Sequence, residues 1–264
     1  LVLECPEEII GGVKIIMVAL GVRDAWIAVE GDRRDEVASM TKALGASELI
    51  SLKRISSKYP AGSEKQLLSA LAGIEIGEGK TPIDAGFVVF NAETCKAVYD
   101  AFARGLPLIE RVVTVDGDCI AKPKNLRVPI GTPLSHLIDC CGGLCKEPKK
   151  MICGGPMMGV AQADLAVPVV KGTNAVLCLS RAQDREGAHP QCIRCAKCVT
   201  ACPMSLQPLY LYRFEQAGDL TALRRLNLTD CIECGCCAYV CPGRLPLVES
   251  FRAGKRAVKE ENAS

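Results

Sequence analysis

An excess of charge of either sign is missing from this chain of 264 residues, in which 32 Lys and Arg stand against 30 Asp and Glu. Aromatics make up only 4%, and no basic block is interleaved with them, so no nucleic-acid surface is expected. Long hydrophobic runs are missing too. The longest near the start, "IIGGVKIIMVALGV" (Ile9 to Val22), is broken by Gly11, Gly12 and Lys14 and falls short of the roughly 20 residues that span a bilayer. The expectation is a chain with no transmembrane segment of its own, soluble or peripheral to a membrane. Glu4, Glu7 and Glu8 occupy the place where a secretory leader would carry positive charge, so no such signal is read. Histidine is nearly absent. His136 falls on an amphipathic helical pattern and His189 in a polar connector, each an ordinary surface or packing residue rather than a ligand or base. No Ser, His and Asp arrangement or acid pair suggests hydrolysis.

Cysteine is abundant instead, with 17 residues. In a chain without a secretory signal this points to a reducing compartment and to metal thiolates rather than disulfides. An apolar share of 49% is ample for real cores, and the length allows one large domain or two to three small ones.

Residues 1 to about 106 alternate helical and strand-like signals. "PEEIIGGVKIIMVALG" is apolar at helical spacing, "AWIAVEG" reads as a buried strand, and "RDEVASMTKALGA" is amphipathic with Gly45 as a stop. "ELISLKRI" (strand), "GSEKQLLSALAG" (helix), "GFVVFN" (strand) and "AETCKAVYDAFARG" (helix) follow. Such alternation predicts an open α/β sheet. From residue 107 to 182 the signals become short and β-like: "RVVTVDGD", "NLRVPIG", a short helix "PLSHLIDCCGG", "KKMICGG" and "NAVLCLSR". This predicts a small β-rich module, and a boundary near residue 183 opens a third domain over 183–264. In "GGPMMG" (Gly154 to Gly159) the glycines suit a turn, with Met157 and Met158 packed inside.

The third domain carries a repeat. "CIRCAKCVTACP" at 192–203 and "CIECGCCAYVCP" at 231–242 match almost position for position, 39 residues apart. Each has Cys at relative positions 1, 4, 7 and 11 followed by Pro, which is the bacterial ferredoxin run whose fourth cysteine serves the other repeat's cluster. Cys192, Cys195, Cys198 and Cys241 are assigned to one [4Fe-4S] cluster, and Cys231, Cys234, Cys237 and Cys202 to the other. Structural zinc normally uses two separated pairs of ligands, which two complete runs of four do not resemble. Cys236 is surplus and reads as a small buried hydrophobe. Cys140, Cys141, Cys145 and Cys153 fit no metal pattern, while Arg181, Arg194 and Lys197 either offset cluster charge or form a solvated cationic face.

Several segments together resemble the RnfC family, the C subunits of Rnf-type electron transport complexes: "KYPAGSEKQLLSALAG", "PLIERVVTVDGD", "CGGPMMGVAQADLAVPVVKGTNAVLCLS", "CIRCAKCVTACPM" and "LTDCIECGCCAYVCPGRLPLVESFR". The resemblance implies a partial α/β domain of the complex I flavoprotein type, then a β-grasp module called SLBB, then an α-helical two-[4Fe-4S] ferredoxin-like domain ending in a helix. It implies FMN and NAD(H) as further cofactors of the full-length protein, the other subunits of a membrane complex as partners, ferredoxin as an indirect one, and the cytoplasmic face of the membrane as location. Tyr59, Gly62 and Glu64 then resemble a segment lining the nucleotide side, and Asn91, Glu93 and Thr94 stand where the relative has flavin-facing residues. Asn91 as a helix cap and Glu93 in the first turn is an equal reading. The resemblance also opens a second reading of "GGPMMG" as a ligand loop. The family's glycine-rich flavin loop has no counterpart here, and the chain begins with Leu1, so a carboxy-terminal part of a longer protein is expected. Two alternatives share these features: a cobalamin reductase of the propanediol-utilisation type, and a non-catalytic assembly module whose clusters are structural.

Overall fold

Helix α1 (Pro6–Leu20) begins on a proline, whose fixed φ suits a first turn, and ends where Gly21 takes a φ of +65°. Strand β1 (Ala25–Glu30), helix α2 (Arg34–Leu44) and strand β2 (Ile50–Ile55) follow, then α3 (Glu64–Ala72), a 3-10 turn over Pro82–Ala85 and α4 (Ala92–Arg104). The computed structural model describes residues 1–77, 79–180 and 190–263, and it divides into two units, Leu1–Ile109 and Glu110–Ser264. The expected boundary near residue 183 lies outside the described residues.

In the first unit β1 and β2 pair in parallel, from Ala25 opposite Ile50 to Glu30 opposite Ile55, with α2 as the crossover. Their core gathers Ile9, Ile10 and Met17 of α1 with Met40, Ile50 and Cys95. Gly11 and Gly12 let α1 approach α4 closely: a Cβ on Gly12 would stand 1.8 Å from the Cys95 carbonyl oxygen, and one on Gly11 2.4 Å from the Tyr99 ring. The strand expected over "GFVVFN" is not formed. Residues 87–90 pair with no strand, although they alternate half-buried and exposed, because a strand needs a neighbour to complete its ladder and here Phe87 instead sets its ring 6.1 Å from that of Trp26. Asn91 therefore does not close a strand.

The second unit opens with a five-stranded mixed sheet. Its elements are β3 (Glu110–Asp116), β4 (Lys124–Pro129), α5 (Leu134–Cys140), β5 (Lys150–Cys153), β6 (Val160–Gln162) and β7 (Ala175–Leu179). The order β4-β3-β7-β5-β6, with β3 and β7 parallel and the remaining pairs antiparallel, is that of a β-grasp. Val113, Val115, Val176 and Cys178 from the strands meet Leu134, Leu137 and Ile138 of α5, all buried, at ~1.5–3 kcal/mol for each large apolar side chain. After β3, Gly117 has a φ of +117° and passes so close to β7 that a Cβ would lie 2.2 Å from the Cys178 carbonyl oxygen. Strand β6 is too short to announce itself in the sequence. Met158, expected inside, is 48% exposed, and Met157 is half-buried. The turn is tight at Gly159, where a Cβ would meet Ile152 at 2.4 Å, and Met157 lies against Gly235 of the cysteine-rich part.

The rest of the unit is helical: α6 (Lys197–Thr200), α7 (Pro208–Gln216), α8 (Leu220–Arg225), a 3-10 turn over Leu228–Asp230, α9 (Cys236–Tyr239) and α10 (Leu247–Ala263). Leu211, Leu223, Leu228, Leu247 and Phe251 form its buried centre. Among the described residues no helix is long and apolar enough to cross a membrane.

Candidate metal centres

The two cysteine runs follow one backbone path. Left-handed φ values fall at Arg194 (56°), Ala196 (60°) and Ser205 (52°), and again 39 residues on at Glu233 (55°), Gly235 (79°) and Arg244 (51°). These reversals bend each Cys-x-x-Cys-x-x-Cys segment into an open loop, against the ordinary preference of side-chain-bearing residues. A one-turn helix follows, α6 or α9, carrying the chain to the fourth cysteine. The turn after it is also shared: Ser205 N–H donates to the Cys202 carbonyl at 3.2 Å and Arg244 N–H to that of Cys241 at 3.2 Å.

Because α6 and α9 lie side by side, each fourth cysteine reaches the opposite loop. One pocket is lined by Cys231, Cys234 and Cys237 together with Cys202, and closed by Leu211, Val248 and Phe251. The other is lined by Cys192, Cys195 and Cys198 together with Cys241, and closed by Leu209, Leu245 and Leu247. Gly243 permits this second closure, since a Cβ there would sit 2.0 Å from the Gln191 carbonyl oxygen.

Burial pushes the thiols of Cys198, Cys202 and Cys231 up, and that of Cys237 up to about 12. Neutral thiols are thus favoured until a group brings compensating positive charge, as a metal does when it deprotonates a coordinating thiol. Cys231 already accepts a hydrogen bond from the Glu233 N–H at 3.4 Å. Glu233 in turn accepts from Arg252 Nε at 2.7 Å and Lys255 Nζ at 2.8 Å, which ties α10 to the loop.

The donor set fits iron–sulfur chemistry. Four soft sulfurs face each apolar pocket, whereas no group of His, Cys, Asp or Glu among the described residues is placed to hold a single metal ion. A zinc ion would need its sulfurs all within about 2.3 Å of one point.

The other expected residues are placed as follows. Tyr59 and Gly62 lie in the loop before α3, and Glu64 is the first residue of that helix. Asn91 caps α4, its Oδ1 accepting from the Glu93 N–H at 2.9 Å, with Glu93 and Thr94 in the first turn. Cys236, half-buried at the start of α9, lines neither pocket, and burial raises its thiol to about 11. Cys140 makes a contact of 3.6 Å with His136 Nε2, and Cys145 donates to the Asp118 carbonyl. His189 and Arg181 lie outside the described residues. The spacing rules missed Arg252 and Lys255, although their separation of three on one helix face, below an acidic loop, is a readable signal.

Three domain families match in order: the Nuo51 FMN-binding domain over residues 1–100, the SLBB domain over 112–161 and the 4Fe-4S dicluster domain over 191–244. The chain is 40% identical over 252 residues, 96% of its length, to the C subunit of the Na(+)-translocating ferredoxin:NAD(+) oxidoreductase complex of Acetobacterium woodii. It is 43% identical over 263 residues, 98% of its length, to the C subunit of the ion-translocating oxidoreductase complex of Rhodobacter capsulatus. Over nearly its whole length the chain is similar to this family of C subunits. It spans about half the length of the curated relatives it matches, 57% of the first and 50% of the second. Among solved structures, an NAD+-reducing [NiFe]-hydrogenase in the H2-reduced state shares the fold, with a TM-score of 0.63 at 18% identity, over 99% of this chain and 53% of that one. The family relatives lend nothing to the cobalamin reductase or assembly-module alternatives.

Proposed function

We propose that this chain passes single electrons through two [4Fe-4S] clusters as part of an ion-translocating ferredoxin:NAD oxidoreductase complex. Cys192, Cys195, Cys198 and Cys241 hold one cluster, and Cys231, Cys234, Cys237 and Cys202 the other. The supporting observation is that each pocket draws three cysteines from one repeat and one from its sister.

Such clusters supply reversible one-electron storage. Four thiols per pocket leave no coordination position for a substrate, so the chain's residues need only hold, insulate and space the clusters. Leu211, Val248 and Phe251 keep water from one, and Leu209, Leu245 and Leu247 from the other. Residues 1–106 contribute to an FMN and NAD(H) site of the longer protein, with Tyr59, Gly62, Glu64, Asn91, Glu93 and Thr94 on its wall, residues 107–182 form the SLBB module, and 183–264 the electron-transfer domain. The match of residues 1–100 to an FMN-binding domain supports this reading. The partners are the other subunits of the membrane complex, with ferredoxin reached indirectly, and the chain sits peripherally on the cytoplasmic face. The relatives named as subunits of such complexes support the membrane-complex partners, and among the described residues no helix is long and apolar enough to cross a membrane.

Dithionite reduction of anaerobically reconstituted protein, followed by electron paramagnetic resonance, tests the function. Two reducible cubane signals are expected, and clusters that never change oxidation state would leave only a structural role.

A further inference from the structure

Three charged side chains meet beneath the second cysteine loop. Glu233, at a φ of 55°, turns its backbone N–H onto Cys231 Sγ at 3.4 Å, while its carboxylate accepts from Arg252 Nε at 2.7 Å and Lys255 Nζ at 2.8 Å. Lys255 Nζ also donates to the Cys231 carbonyl at 2.5 Å, so one ammonium grips the loop at two points. All three side chains are half-buried. A left-handed φ is unfavourable for a residue with a side chain, and here a pair of cations from α10 overdetermines it. The repeat does not reproduce this clamp: 39 residues earlier, the matching positions are Arg194, Arg213 and Gln216, which include no carboxylate.

We propose that Arg252 and Lys255 are positioning residues that set the reduction potential of the cluster held by Cys231, Cys234, Cys237 and Cys202, acting through Glu233. This rests on the electron-transfer reading above. Reduction adds one electron to the group bound there, and no proton or bond moves, so whatever stabilises negative charge beside the ligating sulfurs raises the potential. The clamp does so in two ways. It fixes Glu233 with its N–H on the Cys231 sulfur, and it sets two cations against one carboxylate at that loop. Half-burial keeps these charges from full screening by salt. As the matching positions of the first half carry no such set, the clamp acts on one cluster of the two.

Potentiometric titration of the anaerobically reconstituted chain with dithionite, read by electron paramagnetic resonance, tests this. Lys255→Gln, which installs the residue type of Gln216 on the sister helix, should lower one midpoint by about 59 mV, a shift of about tenfold in the one-electron equilibrium. Arg252→Gln should move it the same way and stands in if Lys255→Gln costs iron. Glu233→Gln keeps an accepting oxygen but removes the negative charge, so it should raise the same midpoint, and a merely structural loss would not give opposite signs. Arg256→Gln, which removes an exposed cation from α10, should shift it far less. In a Cys202→Ala background, which keeps only the first loop's cluster, Lys255→Gln should leave the remaining midpoint where it was. Unmoved midpoints, shifts of one sign in all the clamp variants, an equal shift from Arg256→Gln, a shift persisting in the Cys202→Ala background, or iron loss from both cation variants overturns the potential-setting role while the two reducible clusters stand. An unmodified chain without reducible clusters overturns both readings.

Discussion

Gly235 and Met157 are in contact across two modules of one unit: a Cβ at position 235 would lie 2.7 Å from the Met157 carbonyl oxygen. With a φ of +79° the site is doubly closed to other residues. The matching Ala196 carries its side chain at a φ of 60° on an exposed surface, so the glycine answers to the module docked on it rather than to the loop alone. Gly235→Ala should destabilise the unit by about 1–3 kcal/mol, since backbone must give way. Ala196→Gly should stay within about 1 kcal/mol. Denaturant melts of the two variants check this, and equal effects would separate Met157 from the cause.

Cys202→Ala should empty the pocket of Cys231, Cys234 and Cys237 while sparing the one nearest in sequence. Iron quantitation should fall from about eight to about four per chain, and the surviving spin signal should be that of the 192–198 loop. Loss confined to that loop would contradict the crossed arrangement.

Asp118 gives the β-grasp module a pH dependence. Its carboxylate accepts from the Ser180 hydroxyl at 2.6 Å and N–H at 2.8 Å, with Lys146 at 3.3 Å, and is held down at about 2. A depressed carboxylate contributes stability that is present above its ordinary value near 3.8 and lost as pH falls toward 2. Asp118→Asn should therefore flatten the fall in melting temperature between pH 4 and 2, and an unchanged slope would rule this carboxylate out.

Gly12→Ala drives a methyl into the Cys95 backbone of α4. A loss on the order of 1–3 kcal/mol in the first unit is expected, with iron content unaffected. Circular dichroism melts and iron assays distinguish this from general unfolding.

The gathering of the cysteines into two pockets was legible because a fixed spacing carries its own geometry: three sulfurs fall on one loop, and Pro203 and Pro242 mark where the fourth is carried across. The helices of the first unit were legible from apolar period and glycine stops, α1 to Gly21 and α4 to Gly105. "GFVVFN" misled because alternation reports burial on one side and says nothing of a ladder partner. The Glu233 clamp and the Met157 contact were hidden for a related reason, as each joins segments far apart in the chain, 233 with 252 and 255, and 235 with 157. The helix-capping reading of Asn91 was legible from its place before "AETCKAVYDAFARG", and its Oδ1 accepts from the Glu93 N–H at the start of α4.

The central claim is that two cubanes are held by exchanged fourth cysteines. Iron and acid-labile sulfide quantitation on anaerobically reconstituted chain, joined to spin resonance of the dithionite-reduced sample, tests it most directly. About eight irons and two magnetically interacting reduced clusters per chain are predicted. Colourless protein containing zinc, or about four irons with one isolated signal, would contradict the account.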